Sequence, residues 1–148
     1  MFEQLKQYRK IGWDFDDTLI DHPLSEAFWD FIATNPYQQD HYIVTFRSGG
    51  LETRIFTDLM IRGSSLHTGH FVGIHSIDHA LWQDHHLLPA QQRGIILLDQ
   101  LSDDPYMLWK GLTCSEQGIE VLIDDMTANV IHGCKKHGIQ HFHPDDLV

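Results

Sequence analysis

The stretch IGWDFDDTLIDHP, residues 11–23, begins as an apolar strand and then carries four aspartates within eight positions. The segment Ile11–Phe15 has the composition of a buried strand. Because side chains alternate along a strand, Asp14 and Asp16 should lie on the same side of it. Residues that follow a parallel strand face the crevice at the carboxyl edge of the sheet, where open α/β folds bind ligands. We therefore expect a functional site directly after this strand.

Short apolar runs alternate with helix-like segments along the rest of the chain. This order predicts an α/β fold, a three-layer Rossmann-like parallel sheet with helices on both faces. No linker or repeat interrupts it, so residues 1–148 are predicted to form one domain, with a short insertion around 76–93. The predicted strands are Ile11–Phe15, His41–Phe46, Phe71–His75, Ile95–Leu98, Ile119–Ile123 and Ile139–Phe142. The predicted helices are Leu24–Ala33, Leu51–Arg62, residues 103–118 and residues 125–138.

The composition narrows the class of function. A formal net charge of -11, from 10 basic and 21 acidic side chains, argues against non-specific binding to nucleic acid or to an anionic membrane surface. The sequence has no run of 18 apolar residues that would predict a membrane span, and its polar first ten residues do not resemble a signal peptide. Cys114 and Cys134 lack CxxC spacing, so we expect a protein of the reducing cytoplasm.

Further polar side chains follow two other predicted strands. Thr45 lies at the end of the second strand, and Asp124 and Asp125 follow the fifth. At the carboxyl edge of one sheet these aspartates would meet Asp14 and Asp16, and their charges would repel strongly at low effective dielectric. A hard divalent cation with oxygen ligands would remove that repulsion, and Mg²⁺ suits a site of few carboxylates, water and phosphate. The pattern therefore predicts a magnesium site.

This set of residues resembles the signature of the haloacid dehalogenase superfamily of phosphohydrolases. Its first part is an apolar strand followed by Asp-x-Asp-x-Thr, here Asp14–Thr18. A strand-final Thr or Ser comes second, here Thr45, and a Lys or Arg comes third, for which Lys110 is the best candidate. An acidic pair closes the set, here Asp124–Asp125. The order and the predicted strand context agree over residues 11–130, and the resemblance implies a phosphatase of this fold.

The resemblance also implies a mechanism for a phosphomonoesterase. Asp14 would attack phosphorus and form an aspartyl-phosphate, while Asp16 would protonate the leaving oxygen and then activate water. Asp14, the backbone carbonyl of Asp16 and one member of the acidic pair would hold Mg²⁺. We favour Asp125 as that ligand and Asp124 as its support, and the choice between these two neighbours stays open.

Phosphate binding is the second part of what the resemblance implies. Thr45 would donate its hydroxyl to a phosphoryl oxygen, together with backbone N–H groups of the turn Phe46–Gly49. Arg47 could add a bidentate contact. Among the five lysines Lys110 is left by elimination as the cation partner. Because it falls inside the third predicted helix rather than at its start, Arg47 or Arg93 is kept as an alternative.

Spacing argues against a large cap domain. Asp16 and Thr45 are 29 positions apart, and the 64 residues between Thr45 and Lys110 must also hold a helix and a strand. The site should therefore be nearly open and accept bulky phosphates, such as nucleic-acid ends or phosphorylated protein side chains. Small nucleotides and sugars would need a lid from a partner subunit of a homo-oligomer. The substrate stays open, from small molecules to macromolecules.

Two alternatives stand beside this interpretation. A non-catalytic or regulatory phosphate-binding relative would keep the same fold, but the complete Asp14 and Asp16 pair favours the enzyme. Six histidines between residues 67 and 86 raise the question of zinc, yet that stretch has no HxH or HExxH spacing. We interpret these histidines as surface or capping residues.

Overall fold

Five short strands form a parallel sheet in the described part of the chain. The computed structural model describes residues 1–47, 51–77 and 105–148. The sheet order is β3-β2-β1-β4-β5, which puts β1 at the centre. The strands are β1 Lys10–Trp13, β2 Asp40–Thr45, β3 Gly73–Ser76, β4 Val121–Ile123 and β5 Gln140–Phe142. The predicted strand Ile95–Leu98, and the predicted insertion beyond residue 77, lie outside the described residues.

Helices cover both faces of this sheet. They are α1 Ser25–Thr34, α2 Leu51–Ile61, α3 Pro105–Gln117 and α4 Thr127–His137. Alternate strand residues divide between two buried clusters, one containing Trp13 with side chains of α1 and α2, the other containing Val44 with side chains of α3 and α4. The predicted three-layer α/β fold is therefore confirmed. Within the described residues, no helix is long and apolar enough to cross a membrane.

The central strand ends earlier than the sequence suggests. β1 stops at Trp13, and Phe15–Leu19 forms a wide helical turn in which the Ile20 N–H donates to the carbonyl oxygen of Phe15 at 3.2 Å. Asp17 lies in this turn with φ 57°, a left-handed conformation that aspartate tolerates. The predicted strand bound at Phe15 is wrong, because neither Asp14 nor Asp16 belongs to β1, and strand alternation is therefore not what positions the two carboxylates. Asp14 is buried, whereas the side chain of Asp16 is 49% exposed.

Two glycines allow α3 and α4 to pack closely. A methyl group built on Gly111 would lie 2.1 Å from the carbonyl carbon of Gly133, and one on Gly133 would lie 2.7 Å from the carbonyl oxygen of Leu108. A larger residue at either position would force the helices apart. Gly111 thus serves helix packing, although glycine lowers helix propensity. Its neighbour Lys110 lies buried on the same helix.

A buried histidine links β2 to β1 and to the end of α1. Trp13 Nε1–H donates to His41 Nδ1 at 3.0 Å, so the neutral ring carries its proton on Nε2, which faces Asn35 Oδ1 at 3.2 Å. Burial, with a smaller contribution from the charge of His70, lowers the pKa of His41 to about 4. This side chain is therefore neutral at physiological pH and holds two elements together as a polar core residue.

Acid should destabilise the fold through His41. In the unfolded chain an imidazole takes up a proton near pH 6.5, whereas the buried ring resists protonation down to about pH 4. The unfolded state binds the extra proton in that window, so stability falls as pH falls from about 6.5 to about 4, by about 2 to 3 kcal/mol for this residue. In urea unfolding at about pH 7 and about pH 4.5, His41→Gln should lose less stability on acidification than the wild type.

The control for this measurement is His132→Gln, which removes an exposed histidine of α4. It should respond to acid like the wild type. Equal losses of stability in His41→Gln and His132→Gln would contradict the assignment of the acid sensitivity to His41.

Candidate functional site

The ends of neighbouring strands bring the predicted site residues together. Trp13 of β1 pairs with Ile123 of β4, so Asp14 and Asp124, the next residues along, lie side by side at the carboxyl edge. The Asp14 N–H donates to the carbonyl oxygen of Ile123 at 2.8 Å, which fixes this register. Thr45 ends β2 on the other side of β1. Three of the predicted residues therefore share one edge of the sheet.

Lys110 joins the two buried aspartates. Its ammonium donates to Asp14 Oδ1 at 2.9 Å and to Asp124 Oδ2 at 2.6 Å, and the residue is only 1% exposed. The Phe46 ring centroid lies 4.6 Å from the same nitrogen, close enough for a cation–π contact. Of the described candidates, Lys110 contacts Asp14 and Asp124, whereas Arg47 contacts Asp16 and Asp58. Arg93 is outside the described residues.

The site holds more negative than positive charge. Burial raises the pKa of Asp14 well above its ordinary value; Lys110 opposes that rise, and the neighbouring Asp124 and Asp125 groups add to it. Burial alone would lower the pKa of Lys110, but the two carboxylates outweigh it and the pKa is raised. Lys110 thus stays charged, and one ammonium faces three carboxyl groups. A further cation would stabilise the ionised form of Asp14.

The three carboxyl groups lie close enough together to hold one cation between them. Ligand oxygens of Asp14, Asp124 and Asp125 all lie within 4.8 Å of one another. Asp124 is already engaged, because its Oδ1 accepts the Met126 N–H at 2.8 Å and its Oδ2 accepts from Lys110. Asp125 Oδ1, by contrast, is buried and has no hydrogen-bond partner. An all-oxygen donor set with one unpartnered buried oxygen is of the kind that could hold Mg²⁺. The roles of Asp125 as ligand and Asp124 as support stay predictions.

Thr45 and Phe46 form the opposite wall of the site. Thr45 is fully buried, and its Oγ1 accepts the backbone N–H of Arg47 at 3.0 Å, which shapes the turn after β2. The ring of Phe46 packs edge to face on Trp109 at 5.4 Å. The rest of the predicted phosphate-binding turn, residues 48 and 49, lies outside the described residues. The hydroxyl of Thr45 therefore stands at the edge where the turn begins.

Arg47 binds carboxylates rather than facing an open pocket. Its Nε and Nη2 donate to Asp16 at 2.9 and 2.8 Å, and its Nη1 donates to Asp58 of α2. The guanidinium carbon lies 4.7 Å from the centroid of the Phe15 ring, over the ring. The bond to Asp16, partly offset by burial, raises the pKa of Arg47. In the structure Arg47 forms ion pairs with Asp16 and Asp58, and its predicted contact with phosphate stays a prediction.

Sequence reasoning missed two residues that contact the site. Asp58 binds Arg47, and His141 of β5 donates from Nε2 to the main-chain oxygen of Asp124 at 2.9 Å. Asp58 is followed four residues later by Arg62, a spacing that indicates a pair along the helix but gives no sign of Arg47. A histidine in a predicted strand gives no sign of which backbone group it will reach. Both roles follow from tertiary packing.

Two of the histidines that raised the question of zinc, His67 and His70, act locally, whereas His75 of β3 stacks on Tyr42 of β2. His67 Nδ1 accepts the Gly69 N–H at 3.0 Å, and His70 Nδ1 accepts the His67 N–H at 3.1 Å. These bonds close a short helical turn, as expected of capping residues. The later histidines of that stretch, from position 79 onward, lie outside the described residues.

Comparison with known proteins identifies a similar fold and nothing further. No family model matches the chain, and no curated protein matches it in sequence. A crystal structure of an uncharacterized protein from Corynebacterium glutamicum, determined at 1.44 Å resolution, superposes with a TM-score of 0.52. The match covers 92% of this chain and 84% of that protein, at 12% sequence identity. The similarity is one of α/β architecture.

Proposed function

We propose that the protein is a Mg²⁺-dependent phosphomonoesterase of the haloacid dehalogenase type. The observation that carries this proposal is the buried ammonium of Lys110 bonded to both Asp14 and Asp124, beside the unpartnered oxygen of Asp125. A buried aspartate held by a lysine at a strand end, next to a site fit for a cation, is suited to attack a phosphate dianion. The free buried thiols of Cys114 and Cys134 support placing it in a reducing cytoplasm.

The proposed reaction has two steps that use this chain's own carboxyl groups. Asp14 attacks phosphorus, the bond to the leaving oxygen breaks, and Asp16 gives its proton to that oxygen. Asp16 then takes a proton from water, which attacks the aspartyl-phosphate, releases phosphate and restores Asp14. Lys110 orients Asp14, and Thr45 would donate to a phosphoryl oxygen. Mg²⁺ held by Asp14, Asp125 and the backbone carbonyl of Asp16 would neutralise the charge between carboxylate and phosphate.

A panel of phosphate esters assayed with Mg²⁺ tests the proposal. It contains nucleotides, 3′-phosphorylated oligonucleotides, phosphopeptides and an aryl phosphate, because an open site admits both small and macromolecular esters. We expect turnover of at least one ester, abolished by EDTA and restored by excess Mg²⁺. Absence of turnover across the panel would contradict the proposal.

One observation favours a second candidate, a phosphate-binding protein without turnover. Both oxygens of Asp16 accept hydrogen bonds from Arg47, so the proposed acid and base is engaged in this state. Such a protein would bind inorganic phosphate in calorimetry with Mg²⁺ present and hydrolyse none of the panel. Turnover of any ester that depends on Asp14 excludes this candidate.

The metal requirement yields a stability prediction at Asp125. Mg²⁺ binds the folded state alone, so it should raise the melting temperature of the wild type. Asp125→Asn removes the negative charge of the carboxylate that carries the unpartnered oxygen and should abolish most of that rise. In EDTA it should melt no lower than the wild type, because one repelling charge is gone. Asp30→Asn removes an equal charge from the exposed face of α1 and should keep the full response to Mg²⁺. A wild-type melting temperature unaffected by Mg²⁺ would contradict the assignment of a metal to this site.

A further inference from the structure

A chain of alternating charges connects the turn after β1 to α2. Arg47 pairs with Asp16 of the turn and with Asp58 of α2. Arg62 pairs with Asp21, its Nε donating to Oδ1 at 2.8 Å, and its Nη1 lies 3.9 Å from Asp58 Oδ1. Asp58 therefore stands between the two arginines. We call this set, Asp16, Arg47, Asp58, Arg62 and Asp21, the charge chain.

Asp58 fixes the position of Arg47 within the charge chain. Asp58 accepts a hydrogen bond from Arg47 Nη1, while Nε and Nη2 donate to Asp16 and the guanidinium lies over the Phe15 ring. A planar guanidinium held on its edges and on one face has little freedom to rotate. The hydrogen bond from Arg47 holds the pKa of Asp58 below its ordinary value, so the Asp58 carboxylate is charged at neutral pH.

Asp16 depends on that guanidinium for its orientation. Its side chain is 49% exposed, and the backbone around it forms an irregular turn with Asp17 at φ 57° and Asp21 at φ 61°. A half-exposed aspartate in such a turn has several rotamers available unless a partner selects one. The bidentate contact with Arg47 is that partner.

We propose that Asp58 is a positioning residue, which acts through Arg47 to hold the carboxyl group of Asp16 at the rim of the site. The inference rests on the proposed function and adds a residue that neither motif spacing nor strand position indicates. Its chemical consequence concerns the leaving group. Before it acts as the acid, Asp16 must take up a proton and release part of its contact with Arg47, and Asp58 then keeps Arg47 in place beside it. A poor leaving group such as an alkoxide needs an acid held in this way, whereas 4-nitrophenolate leaves without one.

The test compares two esters in four proteins. The wild type, Asp58→Asn, Asp58→Glu and the control Asp30→Asn are assayed with Mg²⁺ on 4-nitrophenyl phosphate and on an alkyl phosphate. In Asp58→Asn we expect kcat/KM for the alkyl ester to fall at least about tenfold more than kcat/KM for the aryl ester. Asp58→Glu should recover part of that difference, because it restores the charge, and Asp30→Asn should leave both rates unchanged. An equal fall on both esters, or no fall on either, would overturn the inference.

A second measurement is independent of turnover. The Nε–H resonance of Arg47, identified by its loss in Arg47→Lys, should exchange slowly with solvent in the wild type and measurably faster in Asp58→Asn. Unchanged exchange would overturn the inference whatever the activities. Faster exchange together with a wild type that hydrolyses neither ester would contradict the proposed function, and would still support the hold of Asp58 on Arg47.

Discussion

Asp14→Asn is expected to abolish turnover of every ester that the wild type hydrolyses, a loss of at least about 10³-fold in kcat. An amide oxygen of asparagine can still accept the hydrogen bond from Lys110, but it is a poor nucleophile toward a phosphate ester. The substitution keeps the shape of a buried side chain whose ionised form is disfavoured first of all by burial. The variant should therefore fold at least as well as the wild type in the absence of metal, which separates a chemical loss from a structural one.

Two measurements check this result. Steady-state rates with Mg²⁺ compare Asp14→Asn with Asp30→Asn, which removes a carboxylate from an exposed position and should keep wild-type rates. Acid-quenched samples of the wild type during turnover should contain a phosphorylated Asp14, found by mass spectrometry after digestion, and the variant should contain none. Wild-type rates in Asp14→Asn, or a phosphate on another residue, would exclude Asp14 as the nucleophile.

The fold was predictable because local patterns and the tertiary structure agree. Apolar strands such as Ile11–Trp13 are buried on both faces, and a strand buried in this way can be recognised from a run of consecutive apolar residues. The order of strands in the sheet cannot be predicted from consecutive residues, because it depends on which crossover connections pack together. The structure places β4 next to β1, and this pairing is what brings Asp124 beside Asp14. The sequence predicted only that both would stand at the same edge.

Lys110 shows where local reasoning reached its limit. It could be selected from five lysines, yet its place inside the third predicted helix, rather than at its start, left Arg47 and Arg93 as alternatives. The next residue is Gly111, which weakens a helix but lets α3 approach α4 closely. A feature that lowers helix propensity thus serves helix packing, and sequence alone does not reveal the partner Gly133.

The acid and its surroundings were less predictable than the nucleophile. Strand alternation applies only as far as the strand, and β1 ends at Trp13, so Asp14 is buried while Asp16 lies in the following turn. The partner of Asp16 comes from the turn after β2, and that arginine in turn binds α2. Contacts between three separate elements leave no periodic trace in the sequence. The function of these contacts has to be tested by experiment, by comparing the aryl and alkyl phosphate esters as described above.

Lys110→Met should be the most destabilising of the substitutions considered. Methionine has a similar length and no charge, so Asp14 and Asp124 would remain buried without their ammonium. Removing one partner of a buried ion pair costs about 3 to 5 kcal/mol, because the charge left behind has lost both water and its counterion. The wild-type interaction spans two carboxylates that are almost fully buried, which argues for the upper part of that range. Activity should fall at least about 100-fold, since Asp14 loses the group that orients it.

The pH dependence of the stability of Lys110→Met distinguishes the loss of a charge from the loss of packing. Burial already raises the pKa of Asp14, and removing the ammonium removes the group that opposes that rise. A carboxyl group whose pKa is higher in the folded than in the unfolded state stabilises the fold at pH values below its unfolded pKa, which is near 3.9. This stabilisation is lost as the pH rises through the pKa of the folded state. The variant should therefore be least stable relative to the wild type at neutral pH and approach the wild type as pH falls.

Urea unfolding in EDTA across this range of pH, with the exposed Lys136→Met as control, measures the difference in stability. A pH-independent gap between Lys110→Met and the wild type would mean that the lysine acts by filling space, and the electrostatic account of the site would fail with it.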